Sequence, residues 1–219
     1  HHDQERYQQA RSLRVDPWLG PSLYDAEPIY DPRHFLDYTQ AGVRSNFSLP
    51  ETTLARARPL LEQARSFWME RQVHPVQGSI PEISLFLKTI HQAINAVALL
   101  SGPPLPTRRL GIQFPDRARA VEAEDLIGSL NTLLGETTLT RSTLESWLAP
   151  WSETLDRYYQ ADSLGENFHH KKVYYQRAVE ALLETQQPTH ALWPLISTWS
   201  EAVDFLAGEN QLHRDWKQA

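Results

Sequence analysis

An all-α fold, a multi-helix bundle behind a short irregular N-terminal leader, is what this sequence predicts. Apolar residues recur at three- and four-residue intervals through most of the chain beyond residue 48, the period of helices that bury one face. The pair with β propensity, Ile29-Tyr30, is short and boxed in by prolines. Glycines and prolines punctuate the periodic stretches where helices would stop. At 219 residues and 41% hydrophobic, the chain can bury a sizeable core without staples.

The elements follow in order. His1 to Arg14 is polar, with the spacing of a solvated helix, and the breaker-rich loop Val15 to Pro21 ends it. Ile29-Tyr30 reads as an extended segment or a vestigial edge strand, and Phe35 to Arg44 as a helix closing the leader. The expected divisions are a leader over 1–47, a bundle over 48–210 and a polar tail over 211–219. Ser48 suits an N-cap and Pro50 the first turn of a helix reaching about Val73. The next helix starts at Ser79-Ile80-Pro81-Glu82, and its broad apolar stripe makes it central. Gly102 and Pro103 stop it. A helix or helix pair spans Pro115 to Leu134, and Thr140 caps the next, where Pro150 predicts a kink or break. The last two helices cover about Gly165 to Gln186 and Pro188 to Ala207, with Gly208 ending the second. The bundle therefore has about six to eight helices, with no repeat of fixed period.

Composition narrows the function classes. With no cysteine, disulfides, thiolate metal sites and thiol nucleophiles are excluded. A net charge of −6 supplies no global field for nucleic acid or anionic lipid. Apolar runs such as Ala93 to Leu100 are far shorter than the ~20 residues a membrane span needs. No signal peptide precedes the first helix, so the expected location is cytoplasmic.

No catalytic constellation stands out. Gly-x-Ser-x-Gly, P-loop and dinucleotide fingerprints are absent. Glu122, Glu124 and Asp125 read as a solvated helix face, and the Arg71-to-His74 spacing does not fit an Arg/His ribonuclease pair. Glu166 and His169 have Glu-x-x-His spacing, once where a di-iron bundle needs it twice. With His190 they define a metal-dependent bundle enzyme as a rival reading; the alternative is a solvated helix start.

The basic set is the candidate site. Arg108 and Arg109 sit on a loop stiffened by Pro103, Pro104 and Pro106. Lys88, His91 and Asn95 share one face of the preceding helix at i, i+3 and i+7. Two guanidiniums beside a polar stripe suit an anion. The competing reading is that the arginines cap carbonyls or pair with Asp116 and Glu122. Seven tryptophans and eight tyrosines open a third class, an interaction module with an exposed aromatic surface, set against their filling the core.

Two stretches carry a resemblance. Leu23 to Leu36, with Tyr30-Asp31-Pro32 at its centre, is similar to the exit from the catalytic domain of polymerase-β-like nucleotidyltransferases. Phe86 to Arg109 resembles the central helix and loop of their C-terminal helical domain, as in the antibiotic-modifying members. The resemblance covers roughly residues 15–135. It implies a helical accessory domain that contacts nucleotide or acceptor through Arg108, Arg109, Lys88, His91 and Asn95. The family's Gly-Ser followed by Asp-x-Asp is missing here. Mg²⁺ and a nucleoside triphosphate are then implied only for a parent protein whose catalytic domain precedes His1 or is supplied by a partner, and this chain holds neither cofactor.

Overall fold

In the computed structural model the described residues are Tyr7, 9–73, 78–135, 138–161 and 168–218, the side chains of 168–170 and 209–218 excepted. They form an all-α fold with no strand. We number the helices α1 (Ala10–Val15), α2 (Leu19–Asp25), α3 (Phe35–Arg44), α4 (Pro50–Val73) and α5 (Ile80–Ala98). They continue with α6 (Leu110–Arg119), α7 (Asp125–Leu133), α8 (Arg141–Ala161), α9 (Phe168–Leu183) and α10 (Leu192–Gln218). Short 3₁₀ turns, Thr107–Arg109 and Pro188–Ala191, lead into α6 and α10.

The helices fall into two compact units. The first comprises His1–His74, Thr89–Leu105 and Asp116–Glu122, the second Pro75–Lys88, Pro106–Pro115 and Ala123–Ala219.

In the first unit, the leader residues fold into α1, α2 and α3 around Leu13, Leu23 and Val43. Close approach demands glycine here: a Cβ on Gly42 of α3 would sit 2.5 Å from the Ala10 Cβ of α1. Ile29 and Tyr30 lie in irregular backbone and are exposed, so the edge strand weighed from sequence is not formed. No second strand runs beside them, and their neighbour Asp31 serves α3 instead. Its carboxylate accepts the backbone N–H groups of Phe35, Leu36 and Asp37 at 3.0, 2.6 and 3.2 Å. Ala57 and Leu60 of α4 meet Ala96 and Leu99 in a second cluster.

The second unit is built on α8, α9 and α10. Leu144, Trp151 and Leu155 of α8 pack with Val179, Leu182 and Leu183 of α9, and Leu195 and Ala202 of α10 complete the layer. The Trp151 indole N–H donates to Thr198 Oγ1 at 3.0 Å, and that of Trp199 to Thr154 Oγ1 at 3.1 Å, so α8 and α10 are tied in both directions. Trp147, Tyr158, Tyr159 and Tyr175 pack against this core rather than forming a surface.

Of the kink or break expected at Pro150 the break does not form, and the stop expected at Gly208 is overridden. Helix α8 runs unbroken through Pro150, which is exposed, so the carbonyl it leaves unpaired in the preceding turn faces solvent. Helix α10 continues through Gly208 to Gln218. Glycine weakens a helix by about 1 kcal/mol relative to alanine and ends one only where the backbone turns left-handed. The Thr140 cap forms as expected, its Oγ1 accepting the Thr143 N–H at 3.1 Å.

Candidate functional site

The second unit carries an open cleft of about 580 Å³ between the Thr107–Arg109 turn with the start of α6 and one side of α9. Leu110, fully buried, pins the turn to the core and leaves Arg108 half-buried and Arg109 exposed. The α9 wall follows from helical spacing. Val173, Arg177 and Ala181 recur at i, i+4 and i+8, with Tyr174, Ala178 and Leu182 one residue on. Alanines at 178 and 181 leave the hollow, while Leu182 anchors the helix in the core cluster.

Three arginines thus line one cleft with an aliphatic floor. The Arg108 guanidinium lies over the Tyr174 ring, 5.0 Å from its centroid. No carboxylate lines the cleft, and among the described residues none of the three arginines is held in an ion pair. Asp116, the partner weighed for them from sequence, pairs with Arg119 at 2.8 Å. In a chain of net charge −6, this is a local concentration of positive charge against apolar surface. It suits an anion with an apolar body, its charge met by the arginines and its body by the aliphatic floor.

The residues named from sequence separate. Arg108 and Arg109 line this cleft. Lys88 belongs to the same unit and is exposed on α5. His91 and Asn95 belong to the first unit. Asn95 is fully buried and clamps the loop after α5: its Nδ2 donates to the Leu105 carbonyl at 3.3 Å, and its Oδ1 accepts the Leu105 N–H at 2.6 Å. The same Nδ2 lies 3.1 Å from His91 Nε2 and 3.1 Å from the His91 carbonyl. Burial lowers the His91 pKa, against the Leu105 backbone, which favours the charged form. Its other face stacks on Trp18 with centroids 5.7 Å apart.

Tyr174 and Arg177 are site residues that sequence reasoning missed. Their mutual spacing on a basic helix was visible, but nothing in it linked that helix to Arg108. The Glu166/His169 pair lies outside the described residues, and among those described no three His, Asp or Glu side chains gather as metal ligands. Nor does any described helix have the length and apolarity to cross a membrane.

No protein-family model, curated protein or solved structure matches the chain.

Proposed function

We propose that this chain is a helical accessory domain that holds an anionic small molecule, a nucleotide or the phosphorylated acceptor of a nucleotidyltransferase-like protein, without performing the transfer. The single observation behind this reading is the cleft of Arg108, Arg109 and Arg177 with the Tyr174 ring beside them. The cleft is lined by no carboxylate, imidazole or hydroxyl nucleophile other than the Tyr174 phenol, so its chemistry is that of a contact surface. Mg²⁺ and the reacting phosphates belong, on this reading, to a catalytic domain working with this one in the cytoplasm.

Calorimetric titration of the chain with ATP is the test. The expected result is saturable binding that weakens as salt rises, because the contacts are charge-based. Arg108→Ala and Arg177→Ala should each lower affinity about tenfold, or ~1.4 kcal/mol. ATP that fails to bind at millimolar concentration overturns the reading of the cleft. Nucleotidyl transfer by the chain with ATP and Mg²⁺ overturns the accessory role.

One observation favours a second reading, a protein-interaction module. Leu54, Leu61 and Trp68 recur at seven-residue intervals on α4 and remain 51, 47 and 53% exposed. A Leu61→Glu variant that binds ATP normally but loses association with a co-purifying protein would favour it.

A further inference from the structure

Helix α4 carries an apolar stripe that the described residues leave uncovered. Leu54, Leu61 and Trp68 fall on one side of it, two turns apart, and each is about half exposed. Met69 and Val73 add apolar surface at its C-terminal end, 67 and 73% exposed. The side of α4 that serves the first unit's core is a different one, where Ala57, Leu60, Ala64 and Phe67 are buried.

Three charges run beside the stripe, all on the flank away from that core. Arg58, Glu62 and Arg65 follow one another at i, i+4 and i+7 and are exposed. Among the described residues none of the three has a hydrogen-bond or ion-pair partner. Yet the same spacing closes elsewhere in the chain: Arg141 holds Glu145 at 2.7 Å and Arg157 holds Glu153 at 2.6 Å on α8. Glu62, with an arginine one turn away on either side, is held by neither.

This pattern is complementary to itself. Two antiparallel copies of α4 related by a twofold axis bring the same flank of each helix together. With the axis near Gln63 and Ala64, Leu61 meets the partner's Trp68, and Glu62 meets the partner's Arg65, each contact occurring twice. A parallel pair instead sets the charged flank of one copy against the Ala57 and Ala64 side of the other, which offers no charge at that level. We infer that the chain forms a twofold dimer through α4, with Leu61 and Trp68 at the centre and reciprocal Glu62–Arg65 pairs on the rim. The inference rests on the interaction-module reading, which it deepens by naming a second copy as the partner, and it is independent of the Arg108 cleft. A seam of one helix falls below the ~800 Å² per partner of a standard interface, so the association is weak and concentration-dependent. The rim pairs contribute register more than affinity.

Sedimentation equilibrium of the intact chain between roughly 5 and 500 µM should show a reversible monomer–dimer equilibrium. Leu61→Glu, at an exposed position, should weaken it at least tenfold while the melting temperature holds. Glu62→Arg and Arg65→Glu should each weaken it severalfold, and the two combined should restore it, because the swap rebuilds both rim pairs. The chain has no cysteine, so single cysteines report the register. Mild oxidation should link Arg65→Cys copies near the axis and leave Leu54→Cys, roughly 28 Å from its counterpart along the pair, unlinked. A chain that stays monomeric throughout overturns the dimer, and the interaction reading survives that result only if Leu61→Glu still abolishes binding of a different protein. Dimerisation indifferent to Leu61→Glu, or a link through position 54 in place of 65, overturns the antiparallel α4 pairing.

Discussion

The Arg108 guanidinium rests over the ring of Tyr174, 5.0 Å from its centroid, joining a loop residue to a helix residue far along the chain. At a solvent-facing site such a contact contributes about 0.5–1 kcal/mol. Tyr174→Phe should therefore leave both stability and ATP affinity nearly unchanged. Tyr174→Ala should lower ATP affinity severalfold, because the planar face is lost and Arg108 is no longer held in place. Arg108→Lys should behave more like Arg108→Ala than like wild type, since an ammonium neither stacks nor forks. Calorimetric titration of the four variants and the wild type checks this ordering.

The α8–α10 tie predicts a stability effect with no binding effect. Trp151 is nearly fully buried and donates to Thr198 Oγ1. Thr198→Val keeps the volume but strands the indole N–H, at a cost of about 1–3 kcal/mol. Trp151→Ala opens a cavity and should cost ~3–5 kcal/mol. Urea unfolding followed by tryptophan fluorescence and far-UV dichroism reads both losses.

Asn95 should prove a structural residue. Its amide is occupied on both sides by the Leu105 backbone and is fully buried. Asn95→Ala leaves the buried Leu105 N–H and carbonyl unmet and should destabilise the first unit by a few kcal/mol. ATP affinity measured well below the unfolding temperature should be unaltered. A tenfold loss of affinity without loss of stability would instead place Asn95 at a ligand.

His91 predicts a pH dependence. Burial holds its folded pKa below the ordinary 6.5, so the unfolded chain takes up a proton at a pH where the folded chain does not. Stability should be fully present above about pH 6.5 and decline as pH falls through the window between the unfolded and the lowered folded pKa. His91→Gln should flatten that decline. Melting temperatures at several pH values between about 5 and 8 test it; an identical slope in the variant would refute the assignment to His91.

Local rules made much of the fold legible from sequence. The 3.6-residue period located α4, α5 and α8 to α10, Pro50 falls in the first turn of α4, and the Thr140 signal marked a start because a cap is a contact between residues a few positions apart. The same rules over-read Gly208 as a stop and Pro150 as a break. A helix tolerates either residue when solvent or packing absorbs the lost bond, and that depends on neighbours no local window contains.

The site divides in the same way. The sequence alone determined that this chain is helical, free of thiols and without the nucleophile or phosphate-loop motifs sought in it, and that Arg108 and Arg109 stand on a proline-stiffened turn. Helical period also placed Lys88, His91 and Asn95 on one face, but whether a face meets solvent, a ring or a backbone amide is a matter of packing. Only the tertiary structure set Tyr174 and Arg177 opposite Arg108, committed Asn95 to Leu105, and buried Arg56 against Phe47. Those outcomes join residues distant in sequence, and contacts of that kind are chosen by how whole helices bury their apolar faces rather than by local propensity.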